Sequence, residues 1–187
     1  MTNINEAMIF AAGFGKRMRP LTKEVPKPLL KVNGKPIIFY IIEDLINLNF
    51  KNIVINTHHL SEKFHDELKP YSRIIKIVFE KEILDTGGGF LNAIKKNYFY
   101  NLKSPKVLIN GDVLWKKTVN SPIKNILRNW NEEKMDLLLC LIEKRFFFGY
   151  RGKGDFNLEE PQKEISRLNL EQQKNFVFSG LQIVKPR

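Results

Sequence analysis

Phe10-Ala-Ala-Gly-Phe-Gly-Lys-Arg-Met-Arg-Pro-Leu-Thr-Lys-Glu-Val-Pro-Lys-Pro28 begins where the apolar run Ala7–Phe10, a predicted buried strand, ends. Small residues at Ala11, Ala12, Gly13 and Gly15 let the backbone turn sharply and approach a ligand closely. Exposed N–H groups in such a turn attract phosphate. Lys16, Arg17, Arg19, Lys23 and Lys27 follow, while Pro20, Pro26 and Pro28 stiffen the segment and remove backbone donors. The loop suits a nucleoside triphosphate held by backbone amides, with cations on its phosphates. A solvated basic loop is the plainer alternative.

Working outward, Pro36–Leu48 predicts a helix, with Pro36 in its first turn. Its apolar residues Ile38, Ile41, Ile42, Leu45 and Leu48 recur at three- and four-residue spacing. Asn52–Asn56 and Arg73–Phe79 predict strands, and Ser61–Leu68 a helix capped by Ser61. Glu80–Phe90 carries Gly87, Gly88 and Gly89, a second place where backbone could meet a ligand, with a helix from Phe90 to Lys96. Lys106–Val113 predicts a buried strand that ends in Asn110-Gly111-Asp112. Ser121–Trp130 predicts a helix, capped by Ser121 with Pro122 at its first position. Met135–Ile142 predicts another strand, Gly154–Leu158 the start of a further one, and Asn175–Val184 a last one interrupted at Ser179-Gly180. Strands alternating with helices predict an α/β fold: a Rossmann-like, mostly parallel sheet flanked by helices. Ligands of such sheets bind at the carboxyl ends of strands, where the opening loop lies.

Composition narrows the classes. The chain has 187 residues, enough for one domain with a sizeable core, and no apolar run long enough to span a membrane. The first residues lack the pattern of a signal peptide, and the single cysteine, Cys140, fits a reducing cytoplasm. Cys140 sits in the apolar run Leu137–Ile142 and reads as a buried thiol, not a nucleophile. A net charge of +11 suits nucleic acid or polyanionic nucleotides equally, but its cations are spread along the chain and no RNA-binding signature accompanies them. His58, His59 and His65 lack metal-ligand spacing and read as surface or loop residues.

Two phosphate motifs are excluded. The dinucleotide fingerprint needs a third glycine where Met18 stands, and the P-loop needs glycine at Phe10 and Ser or Thr at Arg17. The chain instead resembles the sugar-1-phosphate nucleotidyltransferases. Their signature is present as Ala11-Ala12-Gly13-x-Gly15-x-Arg17-Met18-x-Pro20-Leu21-Thr22, then Pro26-Lys27-Pro28. Thr86-Gly-Gly-Gly89, Asn110-Gly-Asp-Val113, Gly154-Asp-Phe156 and Phe178-Ser-Gly180 are most similar to the N-acetylmuramate 1-phosphate uridylyltransferase branch, related to the mannose-1-phosphate guanylyltransferases.

The resemblance implies the nucleotide-diphospho-sugar transferase fold and the reaction of a nucleoside triphosphate with a sugar 1-phosphate, giving a nucleotide sugar and pyrophosphate. Ala11, Ala12, Gly13, Gly15 and Lys16 would hold the nucleotide's phosphates, and Thr86, Gly87 and Gly88 its base. Arg17 would stabilise the leaving pyrophosphate, and Lys27 would contact the α-phosphate and the sugar phosphate. Asp112 would bind Mg²⁺, as a hard carboxylate oxygen can; without the resemblance it reads as an ordinary Asx turn. Asn110, Gly111, Asp155, Ser179 and Gly180 are implied on the sugar-phosphate side. The family continues past the last strand to a further metal-binding aspartate that residues 1–187 lack, so the expectation is a single, C-terminally truncated transferase domain. No nucleic-acid or membrane partner is expected. Two alternatives stay open: a nucleotide-binding module without turnover, and a basic nucleic-acid-binding protein.

Overall fold

Ala7 and Ile9 face one side of their strand and Met8 the other, and each side builds its own core. The computed structural model describes residues 4–115, 121–169 and 174–186. In chain order the strands are β1 (Glu6–Phe10), β2 (Lys31–Val32), β3 (Lys35–Pro36), β4 (Asn52–Thr57), β5 (Ile75–Phe79), β6 (Lys106–Asn110), β7 (Leu137–Glu143), β8 (Asn157–Leu158), β9 (Leu168–Asn169) and β10 (Phe176–Val184). The helices are α1 (Ile37–Asn47), α2 (Ser61–Leu68), α3 (Asp85–Lys95) and α4 (Pro122–Asn129).

The main sheet runs β5-β4-β1-β6-β10-β7. The first four strands are parallel, and β10 is antiparallel to both β6 and β7. The expected mostly parallel sheet is therefore present. Period-two alternation decides the layers. Ile53 and Ile55 of β4, and Val107 and Ile109 of β6, join Ala7 and Ile9 beneath α1, α2 and α4. Met8, Val54 and Leu108 face the opposite side, where Phe90 and Ala93 of α3 pack. Helix α1 buries Ile37, Ile38, Ile41, Ile42 and Leu45 on one stripe, each worth about 1.5–3 kcal/mol of transfer free energy.

Local boundaries differ from expectation for physical reasons. Pro36 precedes α1 at the cap position, because it also closes the β2–β3 hairpin. Leu60, with φ of 55°, occupies the cap of α2 in place of Ser61; the Ser61 hydroxyl pairs instead with that of Thr57 at 2.7 Å. Strand β5 starts at Ile75 and β6 ends at Asn110, leaving Gly111 and Asp112 in a turn. Helix α3 begins at Asp85, so Thr86 and the glycines after it are helical and not loop. Ser121 does cap α4, accepting the Ile123 N–H at 3.1 Å. The break at Ser179-Gly180 is a register shift between Phe178 and Gln182.

Candidate active site

From β1 the chain crosses over to β4 and β5 on one side, then returns to β6 on the other. That reversal opens a crevice at the carboxyl ends of β1 and β6. A cleft of about 330 Å³ lies there. Each parallel strand contributes at its end: Phe10, Asn56, Asn110, and Glu80 just after β5.

The loop after β1 folds into three short 3₁₀ turns, Lys16–Met18, Leu21–Lys23 and Lys27–Leu29. Gly15 has φ of 61°, and a Cβ there would stand 2.9 Å from Thr22 Cγ2. Both facts select glycine. The buried Thr22 hydroxyl donates to the Gly15 carbonyl at 2.8 Å, closing the turn. Nothing lies within 4 Å of a Cβ at Gly13, which borders the open cleft. Phe14 packs edge-on against His58 at 5.3 Å and beside His59 at 5.7 Å. His58 Nδ1 lies 2.9 Å from the Glu80 carbonyl, so this histidine braces the loop, while His65 is exposed on α2. The loop role expected for His58 and His59 is what the structure shows.

Lys16, Arg17 and Lys27 line the cleft. Among the described residues no carboxylate pairs with Lys16 or Arg17. Lys27 sits between the buried Pro26 and Pro28, and its Nζ meets Asp112 Oδ2 at 2.5 Å. Both side chains keep partial exposure, 27% and 35%. A pair in contact with water is worth about 0–1 kcal/mol, so either group is free to exchange its partner for a ligand.

Of the residues singled out in the sequence, Ala11, Ala12, Gly13, Gly15, Lys16, Arg17, Lys27, Thr86, Asn110 and Asp112 share this cleft. Gly87 is exposed in the first turn of α3, and Gly88 is half-buried there. Gly111 is buried: a Cβ would stand 2.8 Å from the Phe10 carbonyl, which its N–H also binds at 2.8 Å. The tight contact is thus with protein backbone. Asp155 Oδ2 accepts the Phe178 N–H at 2.9 Å, and Ser179 Oγ donates to the Cys140 carbonyl at 2.8 Å. Gly180, with φ of 81°, lies against Asn110, whose Nδ2 is 2.9 Å from the position of a Cβ. Asp155, Ser179 and Gly180 therefore shape the strand beside Asn110 and do not line the cleft. The sequence reading missed Asn56, Glu80, Ile83 and Asp85, all of which do. Cys140 is half-buried, and burial pushes its thiol up, opposed by a hydrogen bond from Ser179. A thiol held protonated is no nucleophile.

Among the described residues, no cluster of three or more His, Cys, Asp or Glu side chains could hold a metal. Mg²⁺ is commonly held by one or two carboxylates together with substrate phosphates. Asp112, a half-exposed carboxylate on a cleft lined by cations, fits that mode. No helix among the described residues is long and apolar enough to cross a membrane.

Comparison with known proteins matches residues 6–145 to the nucleotidyl transferase family. The chain belongs to that family. An N-acetylmuramate alpha-1-phosphate uridylyltransferase from Neisseria meningitidis is 33% identical to this nucleotidyltransferase, over 97% of the chain and 75% of the relative. A mannose-1-phosphate guanyltransferase beta-B from Xenopus laevis is 30% identical over 97% of the chain, which spans half of that relative's length. Among solved structures, UDP-glucose pyrophosphorylase complexed with UDP-glucose superposes with a TM-score of 0.75, at 19% identity, over 98% of the transferase and 76% of that chain. The last likeness concerns the nucleotide-diphospho-sugar transferase fold.

Proposed function

We propose that this nucleotidyltransferase joins a nucleoside triphosphate to a sugar 1-phosphate, with UTP and N-acetylmuramate 1-phosphate as its pair. The observation that carries the reading is the convergence of the glycine loop, Lys27 and Asp112 at the carboxyl ends of β1 and β6. The choice of pair draws on the Neisseria relative; the Xenopus relative supports GTP with mannose 1-phosphate as the alternative.

An oxygen of the sugar phosphate attacks the α-phosphorus in line. A P–O bond forms, the α–β bridging bond breaks, and pyrophosphate leaves with the electron pair. Such a displacement needs positioning and charge neutralisation and no enzyme nucleophile. Backbone N–H groups from Ala12 to Gly15, with Lys16, hold the phosphates, while the Ala11 N–H is held by Asn56 Oδ1. Arg17, unpaired with any described carboxylate, takes the charge that develops on pyrophosphate. Lys27 leaves Asp112 to bridge the α-phosphate and the incoming sugar phosphate. Asp112 and the triphosphate oxygens would hold Mg²⁺, which supplies positive charge to the α-phosphate when bound. The N-terminus of α3, with Thr86, Gly87 and Gly88, faces the base. Asn110 forms the sugar side, backed by Gly111, Asp155, Ser179 and Gly180, which shape the turn and strand around it, and the reaction takes place in the cytoplasm.

A second reading, nucleotide binding without turnover, is favoured by one observation: the carboxylate Asp112 is already engaged by Lys27. Pyrophosphate release distinguishes the two. UTP, GTP, CTP, ATP and dTTP are each run with Mg²⁺ against N-acetylmuramate, mannose and glucose 1-phosphates. Release with UTP and N-acetylmuramate 1-phosphate is expected. Silence with every pair, from protein that still binds a triphosphate, would establish the second reading.

A further inference from the structure

Asn56 and Glu80 belong to no motif, yet each is only 2% exposed and both line the cleft. An amide and a carboxylate buried side by side are costly unless their polar atoms are paired. Here they are paired in one continuous relay. Asn56 Oδ1 accepts the Ala11 N–H at 2.9 Å, and Asn56 Nδ2 donates to Glu80 Oε1 at 2.8 Å. Glu80 Oε2 then accepts the Leu84 N–H at 3.2 Å. The relay runs from the first residue of the glycine loop to the residue before α3. Only one orientation of the Asn56 amide satisfies it, since the flipped amide would set its NH₂ against the Ala11 N–H. Gly89 belongs to the same arrangement. A Cβ there would stand 2.7 Å from Glu80 Oε1 and 2.9 Å from Asn56 Nδ2. The third glycine of 87–89 therefore makes room for this pair.

We infer that Asn56 and Glu80 are positioning residues: together they set the spacing between the phosphate loop and the start of α3. Neither group need touch the reacting atoms. A ligand that spans both ends of the cleft feels that spacing, and a ligand seated on the Asn110 side alone does not. The inference rests on the reading that a nucleoside triphosphate occupies the cleft. It predicts control of triphosphate affinity with the sugar phosphate left unaffected.

A reciprocal exchange tests it. Asn56→Asp opposes two carboxylates across the 2.8 Å contact. Glu80→Gln, its oxygen held by Asn56, turns an amide NH₂ toward the Leu84 N–H. In the double exchange the carboxylate at 56 accepts from Ala11 and from the amide at 80, whose oxygen accepts from Leu84. Every pairing is restored, with the negative charge moved from position 80 to position 56. Calorimetric titration with UTP, GTP, CTP, ATP and dTTP in Mg²⁺ buffer, together with KM for both substrates, reads the outcome. Each single variant is expected to weaken the preferred triphosphate about 10-fold, as small displacements of a positioned group do. KM for the sugar phosphate stays within about 2-fold, and the double exchange recovers the triphosphate to within about 3-fold. Gly89→Ala, which drives a methyl into the pair without changing its polar atoms, is expected to weaken the triphosphate too, and it serves if Asn56→Asp does not fold. A wild-type protein that binds none of the five triphosphates overturns the cleft's assignment and this inference with it. A wild type that binds, with singles that bind as well, a double weaker than either single, or both KM values moving together, overturns the inference alone.

Discussion

Two lysine–carboxylate pairs stand at opposite ends of the same two strands. Lys106 and Glu6 join the starts of β6 and β1 at 3.3 Å, with side chains 0% and 4% exposed. Lys27 and Asp112 meet beyond the strands' other ends, at 2.5 Å and partly in water. The closed pair has its hydrogen-bonding capacity spent. Glu6 accepts from Asn52 Nδ2 and from the N–H groups of Tyr100 and Asn101. Lys106 Nζ donates to the carbonyls of Asn101 and Ser104 and to the Ser104 hydroxyl. Burial pushes the Glu6 carboxyl up, but its hydrogen bonds and the Lys106 charge bring it below the ordinary value. Burial likewise lowers Lys106, opposed by Glu6. The open pair has water as a ready substitute for either partner. The same two functional groups thus lock the fold at one end and stay exchangeable at the other, and the difference is the number of competing partners and the depth of burial.

The contrast breaks first at the open pair. Asp112→Asn and Lys27→Ala should each lower the turnover number by about 10²–10³-fold, the usual cost of losing one group that stabilises transition-state charge. Urea unfolding should shift by no more than about 1 kcal/mol for either variant. Full turnover in Asp112→Asn would remove Asp112 from the chemistry. The closed pair should behave in reverse. Glu6→Gln leaves Lys106 charged and buried, so unfolding free energy should fall by about 3–5 kcal/mol with KM and turnover unchanged. A variant as stable as the wild type would show that the network tolerates an uncompensated lysine. The smallest expected effect is in acid. The folded-state pKa of Glu6 is lowered from 4.5, so as pH falls through that value the unfolded chain takes up its proton first. The stabilisation from Glu6 is full above that pH and is lost as pH falls through the lower folded value, with a slope of at most about 1.4 kcal/mol per pH unit. Unfolding of wild type and Glu6→Gln between neutral pH and acid should show this arm in the wild type alone.

The layered sheet was legible because its signal is local. Alternation along Ala7–Phe10 and the spacing of Ile38, Ile41, Ile42 and Leu45 need no knowledge of distant residues. The family signature likewise placed the glycine loop, Lys27 and Asp112 in one cleft. Asn56 and Glu80 were not legible, since their meaning lies in partners 45 and 24 residues away. The glycines at 87–89 read as loop because glycine is a poor helix former; burial of Gly89, Phe90 and Ala93 against the sheet overrides that preference. One local signal was present and unused. Asn33-Gly34 joins β2 to β3 with φ of 51° and 76°, the left-handed pair that a two-residue hairpin turn requires.

Among the described residues β7 pairs within the main sheet only with β10, and β10 also covers the outer edge of β6. This order has a consequence for the chain as the ribosome makes it. Strands β1, β4, β5 and β6 have all emerged long before residues 176–184 exist, and they can close as a parallel unit. Until β10 arrives, β6 has an open edge and β7 has nothing to pair with. At about 5–20 residues per second the wait after β7 lasts a few seconds. Unpaired edges recruit other chains, so the hazard of misassembly is concentrated in that interval, on the side of the sheet away from β5.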